Sequence, residues 1–372
     1  MSKRRSNGEG TIYKRYDGRW CAQTTIQGKR ITHYEKTQKK CNEWLKRINT
    51  QIESGLSYSG AQIALEIYMV DWLETAKQSI RPKSFNQYEQ ITRHYILPEI
   101  GKIKLRDLRP DQVQRLYNRK LEAGIGKRTV QLIHAILSRA LNQAVKLGLI
   151  GRNQVNAVTK PKMKRGEIKY LDEKQAKILL SAVADTRYTA LYYIAITTGL
   201  RLGELLGMRW IDLDWKNKSL HVKRQLQRIK GEGLIFSEPK SAAGRRVVVL
   251  GNMTIEKLKE HKKYQPIDKL FAGDKWKEND LIFPSTIGTP MEPRNLQRHF
   301  KGILNKAELP GIRFHDLRHT AATLMLTQGI HPKVVQERLG HSSISLTLDV
   351  YSHVIPSIQG EVAEKLDNLL CR

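Results

Sequence analysis

The chain has 372 residues, 40% of them hydrophobic, which is enough for two or three domains with ordinary cores. Its 65 Lys and Arg residues outnumber 36 Asp and Glu residues, and the net charge of +29, spread along the chain, indicates a polyanionic partner. Three isolated cysteines, a charged first stretch unlike a signal peptide and the lack of a bilayer-length apolar run exclude disulfide-rich secreted and membrane-spanning classes, so we expect a cytoplasmic protein.

The first part of the chain, residues 1–58, predicts a small α/β domain of three strands and one helix. The hairpin signals Asp17-Gly18 and Gln27-Gly28 separate the strands, and an amphipathic helix follows from Gln38 to Glu53. Such a sheet can lie in a DNA major groove, or its charges can simply be solvated. The cations on it that we expect to contact DNA are Arg15, Arg19, Lys29 and Arg30.

Residues 62–158 predict an all-α domain. Apolar spacing predicts helices at Ile63–Lys77, Pro82–Tyr95, Asp111–Ala123 and Arg128–Leu147. Cations on these helices are either phosphate contacts or solvated surface residues, and the candidates are Lys83, Arg93, Lys127 and Arg128. The stretch 159–168, TKPKMKRGEI, predicts an extended basic linker, because Pro and Gly interrupt regular structure there.

The rest of the chain, residues 169–372, predicts a mainly α-helical domain. Helices at Leu171–Val183 and Tyr188–Thr198 precede the stretch TTGLRLGELLGMRW. In that stretch Arg201 stands at the amino end of a helix predicted at Leu202–Met208, where the helix dipole adds to its charge in binding a phosphate.

A small antiparallel sheet is expected after that helix. WIDLDWKNKSLHV predicts a strand, and LIFSEPKSAAGRRVVVL predicts a hairpin with its turn at Ser241–Gly244. The turn places Lys240 at the tip of the strand pair. Lys223 and Arg224 are competing cations nearby.

The stretch 313–354 brings histidines, an arginine and a tyrosine close together in sequence. HDLRHT begins a helix predicted over Phe314–Gln328, and a second helix, Lys333–Leu339, ends at Gly340 before His341. His315 and Arg318 are three apart and can share one helix face. His315 and His319 also have a zinc-ligand spacing, but the Glu of HExxH is missing and no third ligand is evident.

HDLRHT, LGHSS and the tyrosine ten residues beyond His341 closely resemble the tyrosine recombinases, the phage-integrase family. The resemblance covers essentially the whole chain and implies arm-type DNA-binding, helical core-binding (SAM-like) and catalytic domains. It implies no metal and no cofactor, and makes Glu204 the acidic residue that orients Arg201. The catalytic residues it implies are Arg201, Lys240, His315, Arg318, His341 and Tyr351.

The chemistry of these side chains agrees with phosphodiester cleavage. Arg201 and Arg318 can neutralise the two non-bridging oxygens in the transition state, and Tyr351 can attack as a phenoxide. His315 suits the role of base, His341 that of a donor to phosphate, and Lys240 that of the acid for the 5′ oxygen. The expected intermediate is a 3′-phosphotyrosyl DNA, formed without ATP.

The resemblance also implies partners and leaves alternatives open. We expect double-stranded DNA attachment sites, a homotetramer on DNA and a nucleoid location, with a host DNA-bending protein and a directionality factor left open. The tail Ile355–Arg372 either docks on a neighbouring protomer or packs on its own core. Alternatives are a chromosome-dimer-resolving recombinase, a type IB topoisomerase, a His315/His319 metal-dependent nuclease and a DNA-binding regulator with an inactive site.

Overall fold

The computed structural model describes residues 10–26, 29–53, 62–163, 166, 168–239, 242–344, 348 and 367–370. The chain divides into two compact units, Met1–Arg165 and Gly166–Arg372. Within the described ranges, no helix has the length and apolar character needed to cross a membrane.

The first unit opens with the predicted sheet and helix. The strands are antiparallel in the order β1-β2-β3, and the bounds are β1 Thr11–Lys14, β2 Trp20–Ile26, β3 Lys29–Glu35 and α1 Gln38–Glu53. Gly18 takes a left-handed φ of 82° in the β1–β2 turn, as the Asp-Gly signal predicts. The helix buries its apolar face against the sheet, in a core formed by Ala22, Cys41, Trp44, Leu45 and Ile48.

The remainder of the first unit is helical, as predicted. Its helices are α2 Leu65–Lys77, α3 Pro82–Ile91, α4 Leu97–Ile100, α5 Pro110–Glu122 and α6 Lys127–Lys146. The predicted helix Pro82–Tyr95 differs from the structure, because regular α-helix ends at Ile91 and a wider π turn, Thr92–Ile96, leads into α4. Pro98 has no N–H for a regular helical bond, which accounts for the break.

The second unit is mainly helical around one apolar core. Its helices are α7 Glu173–Ala182, α8 Thr189–Thr198, α9 Leu202–Leu206, α10 Asn252–Ala272, α11 Pro293–Lys306, α12 Asp316–Thr327 and α13 Pro332–Leu339. Its strands are β4 Leu213–Asp214, β5 Ser219–Val222, β6 Gln225–Ile229, β7 Gly233–Ser237 and β8 Arg246–Val249. Buried Leu191, Ile194, Phe300 and Leu317 are among the residues that join helices of this unit in the core.

The strand pairing of the second unit corrects two sequence predictions. WIDLDWKNKSLHV forms a short helical turn and two strands, β4 and β5, because the Asp214 carboxylate accepts hydrogen bonds from Asn217 and stabilises a turn there. The predicted hairpin of β7 with β8 is wrong. β7 pairs with β6 across a turn in which Gly231 and Gly233 take left-handed φ, whereas β8 pairs with β5 in the order β4-β5-β8.

Several predicted features lie outside the described residues. Lys240 and Ser241 fall in the connection from β7 to β8, and Tyr351 follows residue 348. The predicted tail is described only over residues 367–370, which are helical and exposed. Part of the predicted linker, residues 164, 165 and 167, is also outside the description.

Candidate active site

Arg201 occupies the N-terminal cap of α9, as the sequence predicts. Its Nη1 donates to Oε1 of Glu204 at 2.7 Å, and its backbone N–H donates to Oε2 of the same carboxylate at 3.1 Å. The Arg201 side chain is 38% exposed, whereas Glu204 is 2% exposed. The carboxylate therefore holds the guanidinium from behind and leaves part of it open to a ligand.

Glu204 is shared by a second arginine that the sequence analysis did not single out. Nη2 of Arg246, at the start of β8, donates to Oε2 of Glu204 at 3.0 Å. Burial alone would raise the pKa of Glu204, but the charges of Arg246 and Arg201 and their hydrogen bonds hold the pKa below its usual value. Alternation along β8, with Arg246 and Val248 on the inner face, is the sequence signal that could have found this residue.

Arg318 lies in the first turns of α12 and is only 3% exposed. Its Nη1 donates to the carbonyl oxygen of Gly199 at 2.9 Å. Gly199 ends α8 with a left-handed φ of 63°, and a Cβ there would meet Cδ2 of Leu339 at 2.3 Å. Only glycine therefore allows α8, α12 and α13 to meet this closely behind the two arginines.

His315 is the N-terminal cap residue of α12. Burial lowers its pKa, and the nearby positive charge of Arg318 lowers it further. Its ring meets the ring of His319 edge-on, with centroids 5.9 Å apart. The helix start is fixed because Arg313 donates to the buried Asp316 carboxylate, which holds His315 in place. The lowered pKa of His315 favours the neutral ring, the form that can accept a proton.

His341 follows the left-handed Gly340 that ends α13. Nη2 of Arg201 donates to the Gly340 carbonyl at 3.2 Å, which ties the two motifs together. Burial, followed by the charges of Arg318 and Arg201, lowers the pKa of His341 to about 4. At neutral pH this imidazole is therefore neutral, and one of its ring nitrogens carries an N–H that can donate a hydrogen bond.

Four of the six predicted catalytic residues converge in the described part of the chain: Arg201, His315, Arg318 and His341. The positive charges of both arginines act on both imidazoles, and hydrogen bonds connect all three motif segments. Lys240 and Tyr351 lie outside the described residues, so their assignment stays a prediction. This convergence of two guanidiniums and two neutral imidazoles suits a phosphodiester in the process of gaining negative charge.

The competing cations Lys223 and Arg224 are engaged elsewhere. Both contact the buried carboxylate of Asp212, with Lys223 Nζ 3.4 Å from Oδ1 and Arg224 forming a two-pronged pair. No group of three or more His, Cys, Asp or Glu side chains in the described ranges is placed to hold a metal ion.

The predicted DNA contacts of the first unit are surface cations in varied settings. Arg15 and Arg19 both pair with Asp17 and lie over the ring of Tyr34. Arg93 forms an ion pair with Glu89 at 2.8 Å. The side chain of Lys29 is not described. Arg30, Lys83, Lys127 and Arg128 are exposed, as are Arg19 and Arg93.

Comparisons with known proteins show which family the chain belongs to. The Phage integrase family pattern matches residues 169–357, and that of the Phage integrase, N-terminal SAM-like domain matches residues 64–121. A tyrosine recombinase XerC-like protein of Caldanaerobacter subterraneus is 32% identical over 355 residues, covering 90% of this chain and 91% of the relative. The ICEBs1 integrase of Bacillus subtilis is 25% identical over 93% of this chain and 94% of the relative.

Solved structures share the fold. The Tn1549 transposon integrase in complex with transposon right end DNA matches 81% of this chain and 99% of its own, with a TM-score of 0.68 at 22% identity. A lambda integrase tetramer bound to a Holliday junction matches 89% of this chain and 95% of its own, with a TM-score of 0.55 at 20% identity. The chain therefore belongs to the phage integrase family of tyrosine recombinases and is a site-specific integrase, an enzyme that breaks and rejoins DNA.

Proposed function

We propose that this integrase inserts and excises a mobile element by strand exchange between DNA attachment sites, with Tyr351 as its nucleophile. The observation that carries the proposal is the bonding of three motif segments into one cationic site. Arg318 bonds the carbonyl two residues before Arg201, and Arg201 bonds the carbonyl immediately before His341.

Each side chain has a distinct role in the proposed reaction. Arg201 and Arg318 bind the non-bridging oxygens of the scissile phosphate and neutralise charge that develops in the transition state. His315 accepts the phenolic proton of Tyr351, and His341 donates a hydrogen bond to a phosphate oxygen. Glu204 orients Arg201.

The leaving group and the reversal of the step complete the reaction. Lys240 gives its proton to the departing 5′ oxygen, and the product is a 3′-phosphotyrosyl DNA with a free 5′ hydroxyl. Phenoxide leaves more readily than alkoxide, so a 5′ hydroxyl from a second duplex can attack the adduct and release the enzyme. The covalent bond conserves the energy of the phosphodiester, and no nucleotide hydrolysis is required.

The proposed domain roles follow the sequence prediction. They are an arm-type DNA-binding domain at 1–58, a helical core-binding domain at 62–158, a linker at 159–168 and a catalytic domain at 169–372. The SAM-like match within the second range and the integrase match within the fourth support them. The basic charge of the chain suits DNA binding by more than one of these domains.

A homotetramer on paired attachment sites is part of the proposal, in a cytoplasmic, nucleoid-associated setting. The lambda integrase tetramer on a Holliday junction and the Tn1549 integrase on transposon-end DNA support it by shared fold. We also propose two accessory partners, a host DNA-bending protein and a directionality factor. Stimulation of strand exchange by host extract would test for them.

The test is recombination between two duplexes made from the ends of the element that carries the gene and its target. We expect the purified protein to exchange their strands in excess EDTA, and a covalent adduct at the 3′ side of the cut to precede the product. Loss of cleavage under chelation, restored by zinc or magnesium, would instead favour a metal-dependent nuclease. Relaxation of a supercoiled plasmid, with no strand exchange between duplexes, would favour a type IB topoisomerase.

Removing residues 1–60 tests the arm-type assignment. The truncated protein should lose recognition of a secondary, arm-type sequence and retain core-site cleavage. Its DNA affinity should also fall less steeply with salt, because fewer cations release counterions on binding. Unchanged binding to every DNA segment would make the sheet a structural accessory.

A further inference from the structure

The Arg246 side chain bonds to two distant segments around the candidate site and to the turn that precedes β8. Its Nη2 donates to Glu204 at 3.0 Å, its Nε to the carbonyl of Arg338 at 2.7 Å and its Nη1 to the carbonyl of Gly244 at 3.2 Å. The Arg246 side chain is 7% exposed. It therefore faces the interior, behind the residues proposed to touch DNA.

The charge of Arg246 changes the net charge of the group that a bound phosphate would contact. Glu204 accepts hydrogen bonds from both Arg201 and Arg246, so the group of three carries one net positive charge. Without Arg246, the buried Glu204 would cancel the charge of Arg201 and leave a neutral pair. Because the buried position limits solvent screening, this difference acts strongly on an anion bound at Arg201.

The hydrogen bonds of Arg246 also fix the turn that presents His341. Arg338 closes a ring with β8, because its backbone carbonyl accepts from Arg246 while its own Nη1 donates to the carbonyl of Val249 at 3.0 Å. A Cβ on Gly340 would lie 2.6 Å from the carbonyl oxygen of Ala243 and 2.9 Å from Nη1 of Arg246. The turn before His341 is thus packed directly on Arg246 and on the connection that carries Lys240.

We propose that Arg246 is a positioning residue for the cleavage step: its charge keeps the Arg201–Glu204 pair attractive to phosphate, and its three-pronged hydrogen bonding locks the His341 turn to β8. This inference rests on the proposed function of Arg201 and His341. Arg246 then has two separable effects. Its charge acts on the binding of DNA phosphate, and its hydrogen bonds act on the rate of cleavage.

The test is single-turnover cleavage of a nicked core-site duplex that traps the covalent adduct. Varying the protein concentration gives a limiting rate and a half-saturating concentration. Arg246→Met should lower the limiting rate by about 10- to 100-fold, the range seen when a group that orients a metal-binding side chain is removed. It should also raise the half-saturating concentration. Urea unfolding of each variant reports its stability separately.

Two further variants separate charge from geometry. Arg246→Lys keeps the charge, but one ammonium cannot reach three acceptors, so the half-saturating concentration should stay near that of the wild type while the limiting rate falls. Combining Arg246→Met with Glu204→Gln restores one net charge at Arg201. The double variant should bind DNA better than Arg246→Met alone, by the roughly 2- to 150-fold that coupled neighbouring residues show.

Arg245→Met is the matched control. Arg245 is adjacent in sequence, 61% exposed and paired with the exposed Glu238, so its loss removes the same charge without touching the site. The limiting rate of the Arg245→Met variant should equal that of the wild type. The proposal is overturned if Arg246→Met cleaves like Arg245→Met, if adding Glu204→Gln only worsens binding, or if every Arg246 variant fails to fold.

The role of Arg246 and the proposed function are contradicted by different results. A wild-type protein that forms no Tyr351-dependent adduct would overturn the proposed function. A wild type that forms it, together with an Arg246→Met variant that cleaves normally, would overturn only the role of Arg246.

Discussion

Arg318 donates a hydrogen bond from Nη1 to the carbonyl oxygen of Gly199, 119 positions earlier in the chain and two residues before Arg201. A single backbone turn thus positions both arginines that we propose to bind one phosphate. The left-handed conformation of Gly199 aims its carbonyl at α12 while Arg201 begins α9. The spacing of the two guanidiniums consequently depends on a residue that has no side chain.

Gly199→Ala should destabilise the protein and impair cleavage together. The left-handed conformation costs a non-glycine residue about 1–2 kcal/mol, and the new methyl would overlap Leu339 and crowd Ala321 at a further cost of about 1–3 kcal/mol. Urea unfolding measures this loss. Single-turnover cleavage should fall as well, because the carbonyl that holds Arg318 must move.

Gly302→Ala is the control for that substitution. Gly302 lies within α11 and a Cβ there meets nothing within 4 Å. Alanine should therefore stabilise the helix by about 0.5–1 kcal/mol and leave cleavage unchanged. Equal effects of the two substitutions would contradict the packing argument at Gly199.

The stability of the protein should fall as pH is lowered from about 6.5 toward 4. An unfolded histidine titrates near 6.5, whereas folding lowers the pKa of His341 to about 4 and also lowers the pKa of His315, in both cases mainly through burial. Within this window the unfolded state binds more protons, so acidification favours unfolding. Urea midpoints measured across the window should fall with pH, and less steeply for His341→Gln. An identical slope for that variant would contradict the assigned burial and charge of His341.

Lys240→Ala should slow cleavage by roughly 10²- to 10⁴-fold, as expected for loss of a positioned general acid. Replacing the bridging 5′ oxygen of the substrate with sulfur removes the need for a proton, because a thiolate leaves unaided. The Lys240→Ala variant should therefore cleave the sulfur-bridged DNA nearly as fast as the wild type does.

Two controls accompany the sulfur experiment. Arg201→Ala should remain slow on both substrates, since Arg201 acts on the non-bridging oxygens. Lys223→Ala should cleave both substrates at the wild-type rate, because Lys223 contacts Asp212. Failure of sulfur to rescue Lys240→Ala would assign that lysine to DNA binding alone.

The sequence was most informative where local rules determine structure. Gln38–Glu53 is helical with the predicted bounds, and Arg201 caps a helix as TTGLRLGE indicates. The family resemblance of three motifs singled out Arg201, His315, Arg318 and His341, which the fold brings together from three segments.

The pairing of β-strands that lie far apart in the chain was not predicted from the sequence. The residues of β7 and β8 alternate in a way that fits a hairpin as well as it fits the observed pairing. Which partner each strand takes depends on β5 and β6, which lie earlier in the chain. Arg246 was missed for a related reason. An arginine at the start of a strand is ordinarily solvated. Alternation with the buried Val248 was its only local signal, and its partners Glu204 and Arg338 lie far away in the chain.

The central claim is that Tyr351 attacks the phosphodiester, and Tyr351→Phe tests it most directly, because the substitution removes only the hydroxyl. With a nicked core-site duplex, the wild type should form a denaturant-resistant protein–DNA adduct whose peptide carries Tyr351. The Phe variant should bind the same duplex with unchanged affinity and form no adduct. An adduct that persists in the Phe variant, mapped to another tyrosine such as Tyr193 or the exposed Tyr264, would contradict the account.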